Sequence, residues 1–455
     1  MRIAKPLCFG CVLVICLMPI DKLAVGAGRG SGGPPAGVNF PTLPSTARGP
    51  TVIPDPASRD TRGGPPAAAQ RGISTAAGAR RQHARELWRA NREVLDFDPQ
   101  SQLIVRGEIV ALASTQQALT TAQDSGFVIR RQQTLAGFAT AVVVLDGPRG
   151  KSLRRALQEL RAADPAGAYD YNHIYFETAT ATRRDAESGA EQQGKALPAP
   201  AAARVGLIDG GVAASHPALR SVTVRSHGCK GVSLPSEHGT AVASLLAGGG
   251  SKPPGTASKT ELFAADVYCG APTGGATDAL LDALAWLVQE HVPVINISLV
   301  GPPNALLQRA IDLAVQRGHL IVAAVGNDGP AAAPLYPASY PLVVAVTAVD
   351  QSETVLLEAG RHTHVDFAAP GAGLSAASLP DKLVPVRGTS FAAPIVARLL
   401  AERLDRTDRK QAEQALKALI ATAVDLGAHG YDPVYGNGLV GGDWQSPTAP
   451  TAQNR

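Results

Sequence analysis

From residue 204 onward, short unbroken apolar runs alternate with segments whose apolar positions recur every three to four residues. The runs "RVGLIDGGV" (204–212), "ELFAADVY" (261–268), "VPVINISL" (292–299), "HLIVAAVGN" (319–327) and "PLVVAVTAV" (341–349) read as strands. Between them, "ATDALLDALAWLVQEH" (276–291) and "NALLQRAIDLAVQRG" (304–318) read as helices, the second closed by Gly318. Strands that lack polar alternation are covered on both faces, and their alternation with helices predicts a doubly wound, mostly parallel α/β sheet. In such sheets, sites gather at the carboxyl ends of the strands.

The preceding region has a different rhythm. "GEIVALA" (107–113), "FVIRRQQ" (127–133), "FATAVVVL" (138–145) and "YDYNHIYF" (169–176) read as strands, with helices predicted over "STQQALTTAQDSG" (114–126) and "KSLRRALQELRAAD" (151–164). Ser114 and Gln117 have capping-box spacing, and Leu153, Leu157 and Leu160 share one helical face. The order βαββαβ predicts a small ferredoxin-like α+β domain. Residues 177–204 are polar and rich in Ala and Pro, which predicts an exposed connector open to proteolysis. From 28 to 79, Gly, Pro, Ala and Ser dominate without periodicity, so a disordered linker is predicted there. An Arg-rich helical stretch follows at 79–95, and the sequence assigns it no role.

Composition changes this picture little. A chain of 455 residues suits two folded units with linkers, and a formal charge of +4, dispersed along the chain, gives no reason to expect nucleic acid. The first residues place Arg2 and Lys5 before an apolar run to about Ile20, then small residues through Ala27. That run is too short to span a bilayer, so a cleaved signal peptide and export, to the outside or the periplasm, are expected without a stable membrane span. Cys8, Cys11 and Cys16 would leave with it. Cys229 and Cys269 remain, and in an oxidising compartment they can form a disulfide; two buried thiols are the alternative.

Four polar residues stand where the sheet should gather chemistry. Asp209 ends the first strand of the domain, and His238 lies in "SEHGTAVASLLAG" (236–248). Asn327 closes the strand ending "VGN", and Ser390 opens a late helix in "GTSFAAPIVA" (388–397). Each has an ordinary reading by itself: a turn former, a satisfied polar residue, a left-handed residue and a helix cap.

Together with their neighbours they make a pattern: the chain from about 204 to 443 resembles the subtilisin-like serine proteases, the subtilases. "VGLIDGGV", "HGTAVASLLAG" and "GTSFAAPIVA" resemble the family's Asp, His and Ser blocks, and "INISL" its substrate-binding edge strand. "VAAVGNDG" resembles the oxyanion block, "YPASYPLVVAVTAVD" and "VDFAAPG" the following core strands, and "YGNGLV" (435–440) the closing turn. The resemblance implies a catalytic triad of Asp209, His238 and Ser390, with Asn327 as oxyanion donor. The chemistry is coherent, since a Ser nucleophile needs a base near neutral pH, an acid that holds the imidazole, and donors for the oxyanion. Substrate-binding residues implied are Ser298, Leu299, Val300 and Gly301 on one side and Ala324, Val325 and Gly326 on the other.

The resemblance further implies polypeptide substrates, a monomer, and an inhibitory propeptide that the βαββαβ unit resembles. The expected domains are a signal peptide (1–27), a linker with a short Arg-rich helix (28–99), the propeptide (100–177), a connector with the processing site (178–204), the catalytic domain (205–443) and a disordered tail (444–455). No cofactor is required. A structural calcium ion comes with the resemblance, but no Asp-dense loop identifies a site and no metal ligand is assigned. One departure is Val300, followed by Gly301 and Pro302, where the family continues with Gly; it predicts either a narrower first specificity pocket or a shifted substrate backbone. Three rival readings are a catalytically silent module of the same fold, an esterase, and a dinucleotide binder. The esterase lacks a G-x-S-x-G elbow and the dinucleotide binder lacks G-x-G-x-x-G spacing.

Overall fold

The computed structural model describes residues 67–113, 116–177, 203–248, 260–361 and 364–444, with backbone alone for 67–77 and 113. The expected signal peptide, most of the linker, the Ser114 cap, most of the connector and the tail beyond 444 lie outside the described residues.

The amino-terminal elements are α1 (Ala67–Ala90), β1 (Leu95–Phe97), β2 (Leu103–Ala113), α2 (Gln116–Asp124), β3 (Val128–Leu135), β4 (Thr140–Asp146), α3 (Leu153–Ala163), β5 (Ala168–His173) and β6 (Phe176–Glu177). β2 pairs with β4 and β5, and β4 with β3, all antiparallel, while β1 pairs with the start of β2. Helix α1 corrects the sequence reading at both ends. It begins at Ala67, inside the stretch read as disordered, and stops at Ala90, after which the chain turns into β1. Its alanines favour helix, and the packing of Ala84, Leu87 and Trp88 on neighbouring elements supplies the stability that periodicity did not reveal.

The larger domain comprises β7 (Arg204–Asp209), β8 (Val222–His227), α4 (Glu237–Leu246), β9 (Thr260–Asp266), α5 (Thr277–Gln289), β10 (Val294–Ile297), β11 (Leu299–Val300), α6 (Ala305–Gln316), β12 (Leu320–Ala324), β13 (Val344–Val349), β14 (Phe367–Pro370), β15 (Leu374–Ser378), β16 (Lys382–Val386), α7 (Thr389–Ala401) and α8 (Arg409–Ile420). Seven strands form a parallel sheet in the order β14-β13-β12-β10-β7-β9-β8. Because β7 begins at Arg204, the predicted connector is one residue too long. Strand β8 escaped prediction: "VTVRSH" lies at the sheet edge, where its valines are only half-buried and its polar residues face water.

The apolar runs feed two cores by the two-residue period of the pleat. From β12, Val322 and Ala324 face a cluster that contains α4 and α7, whereas Ile321 and Ala323 face one that contains α5 and α6. The small sheet repeats this logic. Val143 and Leu145 of β4 pack with α2 and α3, while Val142 and Val144, joined by Val110, Leu135 and Phe138, enter the core formed by α5 and α6. Side chains of this size contribute about 1.5–3 kcal/mol each when fully buried. The run "AVVVL" is unbroken because both its faces are covered.

Polar groups fix the register of this docking. Alternate residues of β5 meet two helix starts: Asp170 accepts from the Ala305 backbone at 2.9 Å, and Asn172 accepts from Asp278 at 3.2 Å. Helix starts leave orphan N–H groups, and these side chains satisfy them. Arg131 donates to both oxygens of buried Glu108 (2.9 and 3.0 Å) and to Asp278 of α5 (2.6 Å).

Candidate active site

Asp209 sits at the carboxyl end of central strand β7 and is fully buried. Its Oδ1 accepts from the Gly210 backbone at 2.7 Å and pairs with His238 Nδ1 at 2.8 Å. His238 occupies the first turn of α4, whose N-cap is Ser236, the Oγ accepting from Gly239 at 2.9 Å. The helix start presses on the strand exit so closely that a Cβ on Gly239 would lie 2.2 Å from the Gly210 carbonyl oxygen. Glycine at 239 is therefore what brings the imidazole to the carboxylate. Burial works against protonation of His238, but the charges of Asp209 and Glu177 outweigh it and raise its pKa above the ordinary value. Its Nε2 is buried without a hydrogen-bond partner among the described residues.

Ser390 is the second residue of α7 and is buried. The cap reading is corrected here, because the N-cap is Gly388 at φ 138°, not Ser390, and Gly388 has no side chain to cap with. Ser390 Oγ instead lies 3.5 Å from the Ser298 carbonyl oxygen. Pro394 stands four residues on inside the helix, so the Ser390 carbonyl receives no helical N–H. It accepts from Ser298 Oγ at 3.1 Å, and Ser298 Oγ accepts in turn from Asn296 at 2.9 Å. The proline thus ties the Ser390 backbone to the edge strand. Phe391 sets its ring 5.8 Å from the His238 imidazole.

Asn327 is held through its oxygen. Oδ1 accepts from the Thr389 backbone at 3.0 Å and from Thr389 Oγ1 at 3.1 Å, which makes Nδ2 the end that Thr389 does not engage. Thr389 Oγ1 also accepts from Gly326 at 3.2 Å, joining the 324–326 segment to the start of α7. The walls named from sequence face one another here. A Cβ at Gly326 would lie 2.6 Å from Leu335 Cδ1 and 3.3 Å from Val300 Cγ1, so the Val300 side chain stands close to the Gly326 backbone.

A further segment occupies the site. Strand β6 pairs antiparallel with β11, Glu177 opposite Leu299 and Phe176 opposite Val300. On its other side, Tyr175 donates its backbone N–H to Gly275 at 2.8 Å, and the Tyr268 hydroxyl donates to the Tyr175 carbonyl at 3.0 Å. The Tyr175 ring is buried, and its hydroxyl donates to the Pro302 carbonyl at 2.8 Å. A Cβ at Gly301 would stand 2.5 Å from that ring, so the ring lies over a glycine. Beyond it, the Glu177 carboxyl comes within 4.8 Å of ligand atoms of Asp209 and His238. Glu177 has its pKa pushed up to about 7, first by burial of the carboxyl and then by the charges of Asp209 and Asp266, with His238 pulling the other way.

Sequence reasoning missed Glu177, Tyr175, Tyr268 and Asp266. The final strand of the small domain was recognised, but nothing local told where its end goes. Cys229 and Cys269 are disulfide-bonded and flank Asp266, whose carbonyl lies 3.7 Å from each sulfur. Among the described residues, Glu177, Asp209 and His238 bring three possible metal-ligand atoms within 4.8 Å of one another, whereas Cys229 and Cys269, bonded to each other, have no thiolate to offer beside Asp266. This group does not supply the six to eight oxygens that calcium takes, and it is not assigned to that ion.

Comparison with known proteins places this arrangement. Residues 201–438 match the profile of the subtilase family. The chain is 33% identical to subtilisin DY of Bacillus licheniformis over 246 residues, which cover 52% of this chain and 88% of that protein. It is 29% identical to subtilisin E of Bacillus subtilis strain 168 over 362 residues, 73% of this chain and 88% of the relative. Its fold is similar to that of fervidolysin from Fervidobacterium pennivorans, described as a keratinolytic enzyme related to subtilisin. The TM-score is 0.58 at 20% identity, covering 76% of this chain and 62% of that one.

Proposed function

Because the chain belongs to the subtilase family of serine peptidases, we propose that it is an exported endopeptidase made as a zymogen, with Ser390 as nucleophile and residues 100–177 as an intramolecular inhibitor. One observation carries the reading: residues 174–177 lie as an extended peptide between 275–276 and 299–300 and end beside Asp209 and His238. An edge strand that accepts a peptide by antiparallel pairing is a general recognition mode, with backbone bonds giving affinity and pockets giving selectivity.

In this reading, Ser390 Oγ attacks the substrate carbonyl as His238 Nε2 takes its proton. Asp209 holds the imidazole through Nδ1 and stabilises the imidazolium, and His238 then returns the proton to the leaving amine. Asn327 Nδ2 and the Ser390 N–H stabilise the oxyanion. The acyl-enzyme formed is hydrolysed by water with the same base. Substrates are polypeptides, and cleavage within 178–204 releases the prosegment. Export rests on the amino-terminal apolar run and is compatible with the disulfide. Among the described residues no helix is long and apolar enough to cross a membrane.

The test is labelling of the purified chain with a serine-directed fluorophosphonate, with intact mass followed over time. Label that requires Ser390, together with loss of the mass up to the 178–204 connector, is expected. Persistent self-processing in Ser390→Ala, with no other protease present, would refute the assignment.

A further inference from the structure

Helix α1 lies outside the inhibitor domain as read from sequence, and it touches three things with one face. Arg80, His83, Ala84, Leu87 and Trp88 follow the helical repeat, so their side chains form a single stripe. At one end of the stripe, Ala84, Leu87 and Trp88 pack with Leu95, Leu103 and Val105 of the small domain. In the middle, the His83 ring meets the Phe176 ring edge-on at 5.6 Å, and Phe176 is a residue of the strand that fills the substrate groove. At the other end, Arg80 Nε donates to Asp328 Oδ2 at 2.7 Å, and Asp328, nearly buried, directly follows Asn327.

We propose that α1 is an inhibitory strap: it lies across the prosegment strand and fastens to the catalytic domain at Asp328, beside the oxyanion residue. The proposal rests on reading residues 100–177 as the inhibitor and adds a second fastening that acts through α1. Its physical basis is the placement of the two anchors along α1 on either side of the His83–Phe176 contact. The apolar anchor is built mostly from the small domain, with Ala276 of the peptidase in the same cluster, and the ionic one is on the peptidase, so release of the strand requires α1 to let go at one end. The guanidinium and carboxylate are both largely shielded, at 22% and 8% side-chain exposure. A charge-assisted bond of this kind contributes more than an exposed ion pair. Removing Arg80 also leaves Asp328 without the cation it faces, which favours opening.

The test uses the full chain. Arg80→Ala is compared with wild type and with Arg85→Ala, which removes the same charge from an exposed position of the helix. After processing, fluorophosphonate labelling of Ser390 is expected to proceed about fivefold or more faster in Arg80→Ala, a factor set by the ordinary worth of a shielded ion pair. Arg85→Ala should match wild type. In a Ser390→Ala background, amide hydrogen exchange at 174–177 is expected to rise by a similar factor with Arg80→Ala. Equal labelling and equal exchange in Arg80→Ala and wild type would overturn the strap. An increase shared equally by Arg85→Ala would also overturn it, because the effect would then be one of charge alone. If wild type neither processes nor labels, the zymogen reading fails and the exchange comparison still decides the strap.

Discussion

Replacing Glu177 by Gln should remove a pH dependence from release of the prosegment. Docked, the Glu177 carboxyl is pushed up to about 7, chiefly by its burial against the peptidase. Released into water, it returns to the ordinary value of 4.5. The docked state therefore holds the extra proton. Docking gains its full benefit below about 4.5, loses it as the pH rises through 7, and is constant above that as far as Glu177 is concerned. The facing groups are His238 on α4, Asp209 and Asp266 at the ends of β7 and β9, and Tyr268 on the following loop. A gap of that width would alone shift the equilibrium about 300-fold. Glu177 keeps one side open to solvent, however, and solvent screens such interactions strongly, so about tenfold is the expected size. The assay follows the lag between cleavage, seen by intact mass, and fluorophosphonate labelling, from pH 5 to 8. The ratio of the wild-type rate to that of Glu177→Gln cancels the pH dependence of the chemistry at His238, and it should rise about tenfold. A flat ratio would show that the carboxyl does not exchange a proton on release, and the reasoning would fall.

Three other outcomes are expected. Asn327→Leu should lower kcat by about 10²- to 10³-fold with little change in KM, the range known for an oxyanion donor of a subtilisin; unchanged kcat on a peptide substrate would remove Asn327 from that role. Arg131→Ala removes the ion pair to Asp278 of α5, while Arg130 still faces Glu108; Arg131 is about half exposed, so docking should weaken by about 1 kcal/mol. Amide exchange in β5 of the Ser390→Ala chain reads this out, and unchanged protection would contradict it. Replacing Cys229 and Cys269 together by Ser opens a closure of 40 residues and should cost up to about 4 kcal/mol in the chain-entropy account. A urea midpoint unchanged in the Ser390→Ala background would show that the bond restrains nothing in the unfolded chain.

The central sheet was legible because its strands are buried on both faces and carry their signature locally: "VINI" or "LIVAA" needs no partner to be recognised. The positions of Asp209, His238, Asn327 and Ser390 at element ends were legible for the same reason. Their mutual geometry was not, since it depends on close approaches such as Gly239 against Gly210 and on Pro394 freeing one carbonyl for Ser298. Strand β8 was missed because an edge strand keeps polar residues, and α1 was cut short because alanine and arginine carry little periodic signal.

What the sequence hid most completely is the closure of the site. Arg80 and Asp328 are 248 positions apart, and Arg131 and Asp278 are 147 apart, each an unremarkable charge in its own neighbourhood. Closing loops of this length costs conformational entropy, so these ion pairs depend on the docking of two surfaces that each chain segment builds separately. In the zymogen reading, release must break these long-range ion pairs together with the apolar contacts of Val142, Val144 and Phe138 with the peptidase core, and the titrating Glu177 carboxyl makes that balance depend on pH. The strap and Glu177 act at opposite faces of the same short strand. Arg80→Ala and Glu177→Gln should therefore move release in opposite directions at pH 8, and the double variant should fall between them if the two fastenings act independently.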